Sequence, residues 1–148
     1  MDTLEKWDKR FLDLAGTIAQ WSKDPSTKVG SVITRGNQIV SLGYNGFPVG
    51  VNDDPGRYAD REFKLRAILH AEVNAIMHAH EDLHDCTIYT WPMPPCSNCA
   101  AQIIQSGINR IVSIKPTQEQ NERWHNSLQT ANQIYEDVGI ELCLYHPP

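Results

Sequence analysis

Four residues in two short segments have the chemical types and spacing of a catalytic metal site. The first segment, LHAEVNAIMHAH, spans residues 69–80 and begins with Leu69, His70, Ala71 and Glu72. The second, PPCSNC, contains Cys96 and Cys99, spaced so that both sulfurs can reach one ion from the first turn of a helix. We therefore predict that one histidine and two cysteines bind zinc, and three protein ligands leave one coordination position open for chemistry. Glu72 is not needed as a ligand, and we predict that it accepts and returns a proton beside the metal.

Two other interpretations of these residues are open from the sequence. The cysteines could form a closed structural zinc site or a free dithiol, although a closed site needs a fourth cysteine or histidine ligand. The chain could also be a zinc-stabilised binding module without turnover, which would leave Glu72 without a chemical role. A chelator that abolishes activity but leaves the fold intact would count against the binding module.

Alternating helices and strands are predicted to position these residues. Apolar residues recur at helical spacing over residues 4–22, and KVGSVITRGNQIVSLGYNG indicates two strands around a turn at Arg35–Asn37. Turn-forming residues fill residues 45–60 and predict a long loop. The remaining predicted elements are a helix from residue 61 or 67 to 80, a strand over 86–91, a helix over 97–107, a strand over 110–115, a helix over 118–138 and a strand over 140–145. This order predicts an α/β fold with a mixed sheet that helices cover on both faces.

Length, composition and charge limit the class of protein. A chain of 148 residues with 41% hydrophobic residues fits one domain over residues 1–148 with a substantial core. It contains no apolar run long enough to span a membrane, and its charged N-terminal segment does not resemble a signal peptide. We therefore expect a cytoplasmic protein with no membrane partner. A net charge of −5 argues against binding to nucleic acid, although it leaves room for one small nucleotide in a locally basic pocket.

The pattern H-x-E followed by P-C-x-x-C is typical of zinc deaminases. Together with the segments WSKDPSTKVGSVI, GYNGFPVGV and HAEVNAIMHA, it resembles the cytidine/deoxycytidylate deaminase superfamily over residues 5–145, most closely its deoxycytidylate branch. The resemblance implies a three-layer α/β/α sandwich around a five-stranded mixed sheet, with one zinc ion per subunit. It also implies a homo-oligomer, with a hexamer favoured. The reaction that it implies is hydrolysis of dCMP to dUMP and ammonia, which supplies dUMP for dTMP synthesis.

Other substrates stay open within the same superfamily. They are dCTP, cytidine or deoxycytidine, and guanine, with tRNA adenosine a weaker alternative because the chain is acidic. The resemblance also implies activation by dCTP and inhibition by dTTP, with Mg²⁺, in regulated members. Some relatives bind a second, structural zinc in the loop before the HAE motif. No cysteine or histidine lies between Ser22 and Leu69, so we expect no second zinc here.

Base and sugar contacts are predicted at five positions. The resemblance makes Asn45 the contact for the sugar 3′-hydroxyl, although an asparagine before glycine is also a common turn residue. It places contacts to the base edge at the backbone N–H of Ala71 and at the backbone C=O of Trp91 or Ser97. The Trp91 ring and Val29 could also flank the base, although a valine in a strand usually packs in the core.

Two further groups of residues are predicted to bind phosphate or an effector. The segment RYADREFKLR places Arg57 and Arg61 before the zinc helix, either as phosphate ligands or as part of a solvated helical face. The resemblance assigns the effector nucleotide to the segments around SKDP and GYNG. The candidate effector residues are Ser22, Lys23, Asp24, Tyr44 and Gly46.

Overall fold

The structure, a computed structural model, describes residues 2–148. Its helices and strands are α1 (Thr3–Ala19), β1 (Gly30–Arg35), β2 (Gln38–Tyr44), α2 (Pro55–Ala59), α3 (Arg61–Ala67), α4 (Ala71–His78), β3 (Thr87–Trp91), α5 (Ser97–Ser106), β4 (Arg110–Ile114), α6 (Gln118–Arg123), α7 (His125–Val138) and β5 (Glu141–Tyr145). The five strands form one sheet in the order β2-β1-β3-β4-β5. β1 runs antiparallel to both β2 and β3, whereas β3, β4 and β5 are mutually parallel. The predicted five-stranded mixed sheet is confirmed.

Alternating side chains on the central strands build two apolar clusters, one on each face of the sheet. Val32, Tyr89 and Val112 pack with Phe11, Leu12 and Ala15 of α1. Their strand neighbours Ile33, Ile88 and Ile111 belong to the other cluster. That cluster also contains residues of α4, α5 and α7, which are Ala75, Ala100, Ile103, Ala131 and Tyr135. The predicted three-layer α/β/α arrangement is therefore confirmed.

The helix that follows the HAE motif lies against β2 at very short range. A Cβ atom added to Gly43 would lie 2.4 Å from the carbonyl oxygen of Ala71 and 2.4 Å from the backbone nitrogen of Ala75. Any side chain at this position would force α4 away from the sheet, since real Cβ contacts do not come this close. Gly43 therefore fixes how deeply α4 is seated, and with it the position of the residues at the start of α4.

The sequence prediction of one helix running from residue 61 or 67 to 80 is wrong. The structure has two helices, α3 and α4, with extended backbone at Ile68 and His70 between them. Leu69 pairs with Gly46 in an isolated antiparallel bridge, with N–H to oxygen distances of 2.8 and 3.0 Å. This contact joins distant parts of the chain, so local propensity could not reveal it. The interruption lets His70 begin a new helix.

Three other predicted boundaries also change. The helix predicted over residues 118–138 is divided into α6 and α7 because Trp124 adopts a non-helical conformation, with φ −117° and ψ 24°. The predicted loop over 45–60 contains the short helix α2, and the first helix ends at Ala19 rather than near residue 22. The predicted hairpin turn is confirmed between Arg35 and Gln38. Among the helices described between residues 2 and 148, none is long and apolar enough to cross a membrane.

Candidate active site

Three potential metal ligands meet at the starts of two helices. The Nδ1 atom of His70 lies 3.2 Å from the Sγ atom of Cys99 and 3.5 Å from the Sγ atom of Cys96. The three ligand atoms all lie within 4.8 Å of one another. Tetrahedral zinc with bonds of about 2.3 Å to sulfur and about 2.0 Å to nitrogen places its ligand atoms about 3.5 Å apart. The donor set and its spacing therefore fit zinc.

The helices orient these ligands and favour their metal-binding forms. His70 is the N-cap residue of α4, and Cys96 is the N-cap residue of α5. The Sγ atom of Cys96 accepts a hydrogen bond from the backbone N–H of Cys99 at 3.5 Å. Hydrogen bonds from the Cys99 thiol and from His70 lower the pKa of the Cys96 thiol to about 4. Cys96 is thus held as a thiolate, which is the form that binds metals.

Glu72 lies in the first turn of α4, two residues after His70. Its side chain is buried, with only 4% of the residue exposed. Burial raises the pKa of the Glu72 carboxyl because the charged form is poorly solvated there. A carboxylate with a raised pKa is a better proton acceptor at neutral pH than an exposed one, so Glu72 is suited to general base catalysis.

A cavity of about 330 Å³ opens onto the metal ligands and Glu72. This volume lies within the range of about 300–1,000 Å³ that is typical of small-molecule sites. The lining comes from five parts of the chain, which are the loop between α1 and β1, the residue after β2, α3 with the start of α4, the segment before α5, and the α6–α7 junction. The lining residues are Asp24, Ser26, Thr27, Val29, Asn45, Arg61, Lys64, Leu65, Ile68, His70, Ala71, Glu72, Met93, Pro94, Cys96, Arg123, Trp124, Ser127 and Leu128.

Comparison with known proteins decides the family. The family model for the cytidine and deoxycytidylate deaminase zinc-binding region matches residues 5–115, which include both motifs. The chain belongs to the cytidine and deoxycytidylate deaminase family. An uncharacterized deaminase of Aliivibrio fischeri is 44% identical over 139 residues, covering 94% of this chain and 93% of the relative. Human deoxycytidylate deaminase is 36% identical over 155 residues, covering 99% of this chain and 83% of the relative.

A solved structure has the same fold. The dCMP deaminase of cyanophage S-TIM5 superposes with a TM-score of 0.72 at 20% identity, covering 98% of this chain and 100% of that chain. The family match, the donor set and the buried Glu72 together make the chain a zinc-binding deaminase.

Four of the residues predicted to contact the substrate line the cavity of this deaminase. They are Val29, Asn45, Arg61 and Ala71. The Oδ1 atom of Asn45 accepts a hydrogen bond from the N–H of Val29 at 2.9 Å, and its Nδ2 atom donates to the carbonyl of Thr27 at 2.9 Å. Asn45 therefore stabilises the loop before β1, and its Oδ1 atom still has a second lone pair.

The structure places three other predicted contacts away from the cavity wall. The Trp91 indole packs against α1, where a Cβ atom on Gly16 would lie 3.5 Å from the ring. The guanidinium of Arg57 lies over the Phe63 ring, 4.2 Å from its centroid. Ser97 uses its backbone N–H to bind the Ser127 hydroxyl at 2.8 Å. None of these three residues lines the cavity, and the predicted backbone C=O contacts of Trp91 and Ser97 stay predictions.

The predicted effector residues fall into a buried group and an exposed group. Ser22 donates a hydrogen bond to the carbonyl of Asn45 at 2.8 Å, and Asp24 binds Lys64 at 2.9 Å inside the cavity wall. Lys23 pairs with Asp53 at 2.7 Å on the surface. The other two residues make local contacts, as Tyr44 packs edge-on against Trp21 and Gly46 bridges to Leu69.

Sequence reasoning missed the part of the wall contributed by the α6–α7 junction. Arg123, Trp124, Ser127 and Leu128 line the cavity, and none of them is among the residues that the sequence predicts to be in the site. No spacing pattern marks these residues, because they lie about 25 to 30 positions beyond the cysteines in a segment that resembles one uninterrupted helix. The break at Trp124, rather than any motif, directs this segment toward the site.

Proposed function

We propose that this protein hydrolyses dCMP to dUMP and ammonia. The observation that carries the proposal is one cavity that is lined by the buried Glu72, by His70 and Cys96 of the His/Cys/Cys donor set, and by an arginine. The relatives named above as deoxycytidylate deaminases support the choice of nucleotide. In this reaction, the oxygen of one water molecule replaces the 4-amino group of the cytosine, and the amino group leaves as ammonia.

The mechanism that we propose assigns proton transfer to Glu72. A zinc ion held by His70, Cys96 and Cys99 would supply the Lewis acidity that makes water a nucleophile near neutral pH. Glu72 takes a proton from the attacking water and gives it to N3 of the cytosine while the water oxygen bonds to C4. Glu72 then takes the proton of the new C4 hydroxyl and passes it to the 4-amino group, so that the C4–N bond breaks, ammonia leaves and the C4 carbonyl forms. The burial of Glu72 excludes bulk water, which keeps these transfers directed.

The proposed substrate contacts follow the lining of the cavity. The N–H of Ala71 binds the base edge, Val29 packs on the base, and the free lone pair of Asn45 Oδ1 accepts the sugar 3′-hydroxyl. Arg61 binds the 5′-phosphate, because guanidinium forms strong charge-assisted hydrogen bonds with phosphate oxygens. Backbone contacts from Trp91 or Ser97 stay predictions. We do not retain Arg57 as a phosphate ligand, since its guanidinium stacks on Phe63 outside the cavity.

A side-by-side assay tests the proposal. Steady-state kcat/KM is measured for dCMP, dCTP, deoxycytidine and CMP with the zinc-loaded protein. We expect dCMP to be the best substrate and to exceed deoxycytidine by about 10²-fold, the contribution of one strong phosphate contact. Equal turnover of dCMP and deoxycytidine would replace the nucleotide proposal with a nucleoside deaminase.

Effector control and assembly are separate proposals. We infer that a triphosphate with Mg²⁺ binds near Lys23, Tyr44 and Gly46, and that the chain forms a homo-oligomer, with a hexamer favoured. The exposed Lys23 and the exposed Tyr44–Trp21 pair support a surface nucleotide site. Rates of dCMP turnover with dCTP or dTTP and Mg²⁺, together with the molar mass in solution, test these points.

A further inference from the structure

The wall residues Arg123 and Trp124 suggest a second phosphate contact. We propose that Arg123 is a specificity-determining residue that binds the substrate's 5′-phosphate together with Arg61. This inference rests on the proposed function, because it requires a nucleotide in the cavity. Arg61 comes from α3 and Arg123 from the end of α6, so the two guanidinium groups approach the cavity from distant parts of the chain.

Arg61 and Arg123 differ from Lys64, the third basic residue in the cavity wall, because neither arginine has an acidic partner in the part of the chain that the structure describes. Lys64 also lines the cavity, but it is already bound to Asp24 at 2.9 Å, with side-chain exposures of 10% and 4%. This buried pair is close to neutral as a unit and is held in place by further hydrogen bonds to Asp24. Within residues 2–148, neither Arg61 nor Arg123 has an acidic partner. The cavity therefore presents two unneutralised guanidinium groups in a chain of net charge −5.

The structure around Arg123 orients its guanidinium. The group lies over the indole of Trp124, 4.8 Å from the ring centroid. Such stacking holds the guanidinium through its face and leaves the N–H groups at its edge free to bind an anion. Helix α6 is itself fixed by a reciprocal capping interaction, in which Gln120 and Thr117 bind each other's backbone N–H groups at 2.9 and 3.1 Å. Arg123 therefore loses less conformational freedom on binding than an unsupported surface arginine.

Arg61 and Arg123 share a cavity with the catalytic residues, and this limits the class of ligand that can bind to them. Both arginines line the same cavity as Glu72 and the zinc ligands His70 and Cys96. One bound molecule can therefore contact the arginines and the catalytic residues. A neutral nucleoside has no anionic group for a guanidinium to bind, whereas a phosphate monoester carries up to two negative charges. Two guanidinium groups match that charge and can each donate two parallel hydrogen bonds. The ligand class that fits is a nucleoside 5′-monophosphate, which includes dCMP.

The decisive experiment changes Arg123 to Gln in the zinc-loaded protein. The ratio of kcat/KM for dCMP to that for deoxycytidine is expected to fall by about 10- to 100-fold, the effect of one charged hydrogen-bonding group. The Kd for dUMP, measured by calorimetry, should rise by a similar factor. Arg123→Lys should retain part of the ratio because it keeps the charge and loses the planar fork.

Arg66→Gln is the matched control. It removes the same charge from an exposed arginine that pairs with Glu62 outside the cavity, at 2.8 Å. We expect its substrate ratio to stay within about twofold of wild type, because screened surface charges contribute little. A fall of equal size in Arg66→Gln would assign the effect to net charge and overturn the role of Arg123.

The failure of this inference is distinguishable from failure of the proposed function. If wild type prefers dCMP and Arg123→Gln keeps that preference and the dUMP affinity, Arg123 is not a phosphate ligand and the proposed function stands. If wild type shows no preference for dCMP over deoxycytidine, the nucleotide assignment itself fails. Zinc content and thermal stability equal to wild type in Arg123→Gln would exclude a purely structural effect.

Discussion

Glu72 has a chemical environment that separates it from its neighbours in the site. His70, Cys96 and Cys99 have their ligand atoms directed at one point, where a metal ion would use them fully. The carboxyl of Glu72 is buried beside that point and has a raised pKa because of its burial. It is therefore the group that can exchange a proton repeatedly while the ligands keep their charge.

Replacing Glu72 with Gln tests this role. The amide has nearly the same shape, so we expect the variant to fold and to bind one zinc per chain. It cannot accept a proton at neutral pH, so kcat should fall by at least about 10³-fold. The measurements are kcat for dCMP and zinc content by elemental analysis. Turnover close to wild type would remove Glu72 from the mechanism.

Cys99→Ser is the comparison variant, because it removes a ligand and keeps Glu72. We expect this variant to lose zinc as well as activity, since a serine hydroxyl is a much poorer zinc ligand than a thiolate. Loss of activity with zinc retained in Glu72→Gln, and with zinc lost in Cys99→Ser, separates proton transfer from metal binding. Full zinc content in Cys99→Ser would contradict the assigned ligand set.

At the scale of helices and strands, the sequence predicts features that depend on short segments, but it does not predict those that depend on contacts between distant residues. The zinc residues could be predicted because the H-x-E and P-C-x-x-C motifs carry the chemistry in short segments. The break between α3 and α4 could not be predicted, because it depends on a bridge between Leu69 and Gly46, which are distant in sequence. Arg123 was missed for a similar reason, since its place in the cavity depends on the break at Trp124 and on how α6 packs.

The close contact between β2 and α4 gives a prediction at this scale. Gly43→Ala should destabilise the protein by about 1–3 kcal/mol, because the new methyl group overlaps the backbone of α4. It should also weaken zinc binding and lower kcat/KM, since α4 carries Glu72 and begins at His70. The measurements are the free energy of unfolding in urea and the zinc dissociation constant.

Gly56→Ala is the control for that substitution. Gly56 lies in α2, and an added Cβ would meet no atom within 4 Å. In this open helical position alanine is expected to be neutral or to stabilise by up to about 1 kcal/mol, because it restricts the unfolded chain. Equal destabilisation by both substitutions would mean that the close approach at Gly43 does not determine the seating of α4.

At the scale of the whole molecule, one buried carboxylate joins α1 to three strands. Asp8 is fully buried and receives two hydrogen bonds from the guanidinium of Arg110, at 2.8 and 2.7 Å. The hydroxyls of Tyr89 and Tyr145 donate to it at 3.0 and 2.7 Å. The network thus ties the helix on one face of the sheet to β3, β4 and β5, on the side of the sheet opposite α4 and α5.

The charge of Asp8 makes the stability of the fold depend on pH. Burial alone would raise the pKa of Asp8, but the hydrogen bonds from Arg110, Tyr145 and Tyr89 outweigh it and hold the pKa below its usual value of 3.8. When the pKa of a carboxyl group is lower in the folded state than in the unfolded state, the group stabilises the folded state. This contribution is complete at pH values above the pKa of the unfolded state. The contribution is lost as the pH falls from about 4 toward the folded pKa, because the unfolded chain takes up the proton first.

Asp8→Asn and Asp13→Asn test this dependence. Both remove one acidic charge from α1, but Asp13 is exposed. At pH 7 we expect Asp8→Asn to lower the free energy of unfolding by about 3–5 kcal/mol, since it removes the buried partner of Arg110 and leaves only the exposed Glu141 carboxylate, 3.3 Å away, to compensate that charge. We expect Asp13→Asn to change it by less than about 0.5 kcal/mol. The difference in free energy of unfolding between wild type and Asp8→Asn should narrow below about pH 4, because the unfolded wild-type chain takes up a proton at Asp8 before the folded protein does. Zinc release in acid affects all three proteins, so the differences between urea unfolding curves isolate Asp8. A gap that stays constant from pH 7 to pH 3 would show that packing, rather than charge, gives this network its stability.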